Sequence, residues 1–166
     1  MKDDYILILR SAKENKRSNE AWLKQIRKVN NEEFYNKLSL THQKVFEKTD
    51  CLSCANCCKS SPPLLSNNDI NRISKHLNIS TKQFNKLYVL TDVNGEKSFN
   101  LVPCRFLNAD NTCSIYEIRP EACRRFPHTD EKEYQQRVSI NLANTLICPA
   151  ASQILLKLKS IWPYDI

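Results

Sequence analysis

Four thiols stand within eight positions in Cys51-Leu-Ser-Cys54-Ala-Asn-Cys57-Cys58, and Cys104, Cys113, Cys123 and Cys148 follow at wider spacing. Two cysteines separated by two residues can turn both sulfurs onto one ion, because the backbone between them makes a tight knuckle. Tetrahedral thiolate ligation, with metal–sulfur bonds of about 2.3 Å, needs that convergence. Here the knuckle is overlapped, Cys51 to Cys54 and Cys54 to Cys57, which offers three ligands from one short arc. Cys58 differs, since adjacent alpha carbons lie about 3.8 Å apart and their side chains usually diverge. Cys57 and Cys58 are therefore expected to reach different ions, or opposite edges of one cluster.

An even count of cysteines also permits a disulfide framework. The adjacency of Cys57 and Cys58 weighs against it, as does a chain of 166 residues, long enough to bury its own core. The N-terminal stretch places Asp3 and Asp4 before the apolar run Tyr5-Ile-Leu-Ile-Leu9 and shows no small-residue cleavage site. No secretory signal is expected from it, and no apolar run has the length of a membrane span. A cytoplasmic setting follows, where thiols stay reduced.

The formal charge of +7 omits the thiolates. Eight deprotonated cysteines holding two divalent ions would bring it to about +3, because metal ligands shed their protons. The basicity is then partly the counter-charge of a metal site, and a nucleic-acid partner is not expected. A single glycine, Gly95, excludes phosphate-cradling loops and dinucleotide fingerprints, which need several.

The elements that must hold these thiols are mostly helical. Ala21, Trp22, Leu23, Ile26 and Val29 recur at helical spacing. Asn30 and Asn31 punctuate, and a second helix carries Phe34, Leu38, Val45 and Phe46. Ser60-Ser-Pro-Pro63 imposes an extended connection. Ser66 caps a helix with Ile70, Ile73 and Leu77 on one face, ending near Asn78. Ser80 with Gln83 fits a capping box for a short helix with Phe84, Leu87 and Tyr88. Asn94-Gly95 between Tyr88–Val93 and Phe99–Val102 signals a hairpin. A second turn at Asn108–Asn111 would put Cys104 opposite Ile115 and make Cys113 its diagonal neighbour on the same face. Pro120 and Pro149 suit first helical positions. Cys123 and Cys148 then lie at helix N-termini, whose partial positive charge favours thiolate. Ile154, Leu155, Leu158, Ile161 and Trp162 line one face of a closing helix.

The fold class expected is mainly α with small β-hairpins (α+β), an irregular cysteine-rich metal centre surrounded by helices. Residues 1–50 read as an N-terminal helical segment packed on the domain, 51–149 as the cysteine-cluster domain, and 150–166 as a C-terminal helix.

Cys51-x2-Cys54-x2-Cys57-Cys58, Pro103-Cys104-Arg-Phe-Leu107, Cys113-Ser-Ile-Tyr116, Arg119-Pro120-x2-Cys123-Arg124 and Cys148-Pro149 together resemble one family, over about residues 51–149. It is the zinc- or iron-chelating CxxCxxCC domain, or YkgJ-type cysteine cluster family, related to the flagellin lysine N-methylases. The resemblance implies metal or iron–sulfur binding in a small bacterial cytoplasmic protein, with Cys51, Cys54, Cys57, Cys58, Cys104, Cys113, Cys123 and Cys148 as ligands. Three readings remain open. Two four-thiolate zinc or iron sites would be mainly structural or regulatory. A [4Fe-4S] cluster on Cys51, Cys54, Cys57 and the Cys148-Pro149 cysteine, serving electron transfer, would leave Cys58, Cys104, Cys113 and Cys123 for a second ion or for packing. A cluster-dependent, methyltransferase-like enzyme is the third, and it has no acid–base constellation behind it. His42 and His76 read as core-edge or solvated residues. His128 is the one histidine placed to act as an auxiliary ligand or proton donor. Arg105, Arg119 and Arg124 are candidates to donate hydrogen bonds to sulfur or to pair with Glu117 and Glu121, and Tyr116 reads as packing. No substrate or protein partner is indicated.

Overall fold

The computed structural model describes residues 2–163. It is mainly α-helical with one small antiparallel hairpin. In chain order the helices are α1 (Asp3–Glu14), α2 (Lys16–Gln25), α3 (Asn31–Phe46), α4 (Cys51–Cys54), α5 (Asn56–Ser60), α6 (Asn67–His76), α7 (Thr81–Tyr88), α8 (Glu121–Arg125), α9 (Val138–Ile147) and α10 (Pro149–Ile161). Strands β1 (Val89–Thr91) and β2 (Lys97–Phe99) form the hairpin. No helix among the described residues is long and apolar enough to cross a membrane. The chain divides into two compact units, Met1–Cys54 with Pro127–Ile166, and Ala55–Phe126.

The first unit is a helical packing of α1, α2, α3, α9 and α10. Asn30 starts α3 by accepting the amides of Glu32 and Glu33 on its side-chain oxygen, which satisfies two of the donors that a helix start leaves over. Phe34 and Leu38 on α3 are buried, and they join Trp22, Leu23 and Ile26 with Ile154, Leu155 and Leu158 of α10 in one core. Phe34 stacks on Tyr134 and tilts against Trp162, while the Trp22 indole donates to the Trp162 carbonyl at 2.8 Å. Four of the five positions expected along α10 do face this core. Ile161 stays 43% exposed, and Trp162, just past the helix end, closes the core instead.

The second unit is smaller. Its core is Leu65, Ile70, Ile73, Phe84, Phe99, Phe106 and Ile115. Ring contacts run Phe84–Tyr88–Phe106–Phe99 at 5.0, 5.4 and 5.2 Å between centroids. Ser66 caps α6 in a full capping box with Asp69. Ser80 caps α7 by accepting the Gln83 amide alone, without the reciprocal bond expected. The hairpin pairs Leu90 with Ser98 around Gly95, whose φ of +83° suits glycine. The first strand is shorter than expected because α7 keeps Tyr88, and the second lies at Lys97–Phe99, closer to the turn than the expected Phe99–Val102; Asn100 donates to the Leu87 and Tyr88 carbonyls, ending the ladder there.

Candidate metal centre

Cys58, Cys104, Cys113 and Cys123 all belong to the second unit, together with Cys57. Cys58 lies on α5, and its carbonyl accepts the Cys104 amide at 2.8 Å. This bond pins the Cys104 strand beside the start of the unit. Cys104 and Cys113 then repeat one local structure. The Leu107 amide bonds the Cys104 carbonyl at 3.0 Å and the Tyr116 amide bonds the Cys113 carbonyl at 3.2 Å. Within each turn the backbone amide two residues on, that of Phe106 or Ile115, acts on the thiol to lower its pKa. Amide donors of this kind favour the charged form of the sulfur they touch. The two turns lie side by side through a bridge between Leu107 and Cys113.

That bridge corrects the expected register. Cys113 stands opposite Leu107, so Cys104 and Cys113 are not diagonal neighbours across a regular hairpin. The three-residue excursion at 109–111, with Asn111 at φ +69°, makes the loop odd rather than even. The thiols still feel one another, because each is delivered by its own turn.

Cys123 sits in the first turn of α8, which starts after Pro120 rather than on it. Burial pushes its thiol up to about 12, and the neighbouring Cys58, Cys104 and Cys113 push in the same direction while Arg119 opposes them. Burial likewise raises Cys104 and Cys113. Cys58 goes the other way, down to about 7, chiefly through its contact with Cys57, whose sulfur lies 3.9 Å away.

The first unit holds Cys51 and Cys54 on α4, and Cys148 at the cap of α10. Burial raises Cys148 to about 11; the Ala151 and Ala150 backbone amides work against the rise, and Cys51 and Cys54 add to it. Both thiols at helix starts are thus pushed away from the thiolate, against expectation. Partial charge at a short helix end is worth about 0.3–1 kcal/mol, whereas each pKa unit of burial corresponds to about 1.4 kcal/mol. Burial wins at both positions.

None of the eight cysteines is joined in a disulfide. Among the described residues, no three His, Cys, Asp or Glu side chains already stand at coordinating distance around one point. The donor chemistry nevertheless fits zinc or iron. Cys58, Cys104, Cys113 and Cys123 influence one another electrostatically, and an all-sulfur set suits these borderline and soft metals.

The other candidates have local roles. His128 Nδ1 is 2.6 Å from Glu131 Oε1, and Arg137 holds the other oxygen of that buried carboxylate. His42 bonds Thr129 and stacks on Phe46, and burial lowers its pKa. His76 is exposed at the end of α6. Arg119 lies over the Tyr116 ring at 3.9 Å and donates to the Tyr116 carbonyl. Arg124 grips the carbonyls of Arg119 and Glu117, and Arg105 lies over Tyr88. The arginines thus brace backbone and rings, where carboxylate pairing with Glu117 and Glu121 was one expectation. Sequence reasoning missed Asp69, although Ser66-x-x-Asp69 spells a capping box.

This arrangement defines a class of protein rich in thiols that come from separated segments of the chain. Residues 50–140 match the CxxCxxCC family, described as "Putative zinc- or iron-chelating domain". The match spans more than half of the chain, and the chain belongs to this family. It therefore carries a zinc- or iron-chelating domain, and the matched span includes seven of the cysteines and stops before Cys148. No curated protein matches the chain, and no solved structure does.

Proposed function

We propose that the protein chelates zinc or iron through two separate cysteine sets, and that the metal of the second unit is structural. Cys58, Cys104, Cys113 and Cys123 form the set of that unit, with Cys57 at its edge, and Cys51, Cys54 and Cys148 form the set of the first unit. The observation that carries the reading is the repeated turn at Cys104 and Cys113, closed by the Leu107 and Tyr116 amides at 3.0 and 3.2 Å. Side-chain rotation onto the ion completes the set, and Cys58, the most acidic thiol of the four, provides the first anionic ligand near neutral pH.

A structural role follows from size. The second unit has 72 residues and seven buried apolar side chains in its core. A core on that scale rarely supplies more than about 3–5 kcal/mol, whereas a structural zinc contributes on the order of 10 kcal/mol at neutral pH. The first unit has the larger core and three thiols, which suits an exchangeable, regulatory ion whose fourth position is open. Reduced thiols of this kind belong in a cytoplasmic compartment.

The alternative for the first unit is a [4Fe-4S] cluster in electron transfer or in methyl transfer. It draws support from Cys148-Pro149, whose thiol responds to Cys51 and Cys54. Elemental analysis and a visible spectrum of anaerobically purified protein decide the matter. Colourless protein with stoichiometric zinc removes the cluster, brown protein with acid-labile sulfide removes zinc from that set, and protein without any bound metal removes the whole reading.

A further inference from the structure

We propose that Asp69 is a positioning residue for Cys123, gripping the start of α8 from α6; this rests on the chelating role assigned above to the second unit. Asp69 is 2% exposed, and its two oxygens do different jobs. Oδ2 accepts the Ser66 amide at 3.0 Å and the Ser66 hydroxyl at 2.7 Å, which is the ordinary work of a capping box. Oδ1 is not needed for that box. It accepts Arg72 Nη2 at 2.7 Å and the amide of Glu121 at 3.1 Å, 52 positions away in sequence.

Glu121 is the first residue of α8, and its N-cap Pro120 offers no side-chain cap. Oδ1 of Asp69 therefore serves as that cap from another helix. Arg72 extends the grip to the other side of Pro120, donating to the Ile118 carbonyl at 3.4 Å and the Arg119 carbonyl at 3.0 Å. One carboxylate–guanidinium pair thus holds the peptide groups before and after Pro120. Arg124 holds the Arg119 and Glu117 carbonyls as well. Cys123 lies two residues beyond Glu121, and its own amide bonds the Pro120 carbonyl at 2.9 Å. The direction of its sulfur is set by the backbone that Asp69 fixes. Groups that orient metal ligands in this way are worth about 10–100-fold in metal affinity.

The test compares Asp69→Ala with the parent chain, alone and in a Cys123→Ser background. Zinc affinity of the second set is measured by chelator competition, and thiol alkylation of metal-free protein is followed peptide by peptide. The expected results are zinc affinity lowered about 10–100-fold and Cys123 alkylation accelerated about 3–30-fold, the range a lost N-cap opens, with Cys148 unchanged. In the Cys123→Ser background the Asp69 substitution should add little further loss of zinc. Equal losses in both backgrounds, or unchanged Cys123 alkylation, overturn the proposal. Should Asp69→Ala not fold, Asp69→Asn, which keeps an acceptor for Glu121, must show the same pattern at smaller size, and its absence overturns the proposal too. A parent chain that takes up no zinc, while Cys123 alkylation still responds, overturns the chelation reading and leaves the positioning of Cys123 standing.

Discussion

Zinc binding to the second unit should release close to four protons at pH 7. The perturbation is zinc titration into reduced, metal-free protein carrying Cys51→Ser, Cys54→Ser and Cys148→Ser, which leaves one set. Cys58, at about 7, is half ionised there. Cys123, at about 12, is fully protonated, and Cys104 and Cys113 are raised above the ordinary thiol range. Closing four thiolates on one ion then releases about 3.5 protons. The sign follows from protons leaving on binding, so affinity rises with pH. Between pH 7 and 8 the gain is more than a thousandfold, or about 4 kcal/mol. Calorimetry in buffers of different ionisation enthalpy counts the protons directly. Release of two protons or fewer would refute a four-thiolate set drawn from these positions.

Phe84 is fully buried in the second unit's small core. Phe84→Ala should cost about 3–5 kcal/mol, leaving that unit unfolded without metal and recovered with zinc, as circular dichroism would record. Chelator treatment of the parent chain should accelerate amide exchange in α6–α8 and leave α9 and α10 protected; uniform exchange would contradict a structural metal confined to one unit. In metal-free protein the raised Cys123 thiol contributes stability that is fully present below about pH 9 and lost as pH rises toward 12, so Cys123→Ala should flatten denaturation midpoints over that window. Burial lowers His42, so its contribution is present above the ordinary histidine range and lost as pH falls through it; His42→Phe should weaken that acid slope.

Local order was legible in the chain. The break at Asn30, the Ser66 cap, the Gly95 turn and most of the α10 stripe each depend on a few adjacent residues, and each forms. The cysteine motif was legible for the same reason, since its spacing is itself the signal. What escaped was whatever depends on burial and long-range approach. The odd loop at 109–111 moved Cys113 opposite Leu107, although nothing within the loop's own residues fixed its length. The thiols at the starts of α8 and α10 were read from helix polarity, but the packing around them settled their ionisation. Asp69 went unread, even as the partner of the Ser66 cap, and the amide it also captures lies beyond Pro120 in a distant segment.

These departures share a physical sense. Three thiols of the second set are held in their neutral form by burial, and the fourth is near its midpoint at pH 7. Raised thiols favour the folded chain while they stay protonated, so the unit can fold before it holds an ion. The Phe106 and Ile115 amides work against that burial, since they favour the charged form of Cys104 and Cys113. An ion closing on these four thiols would have to displace their protons. Zinc held by this set would couple occupancy to pH, and a steep pH dependence of affinity is the measurable form of that coupling.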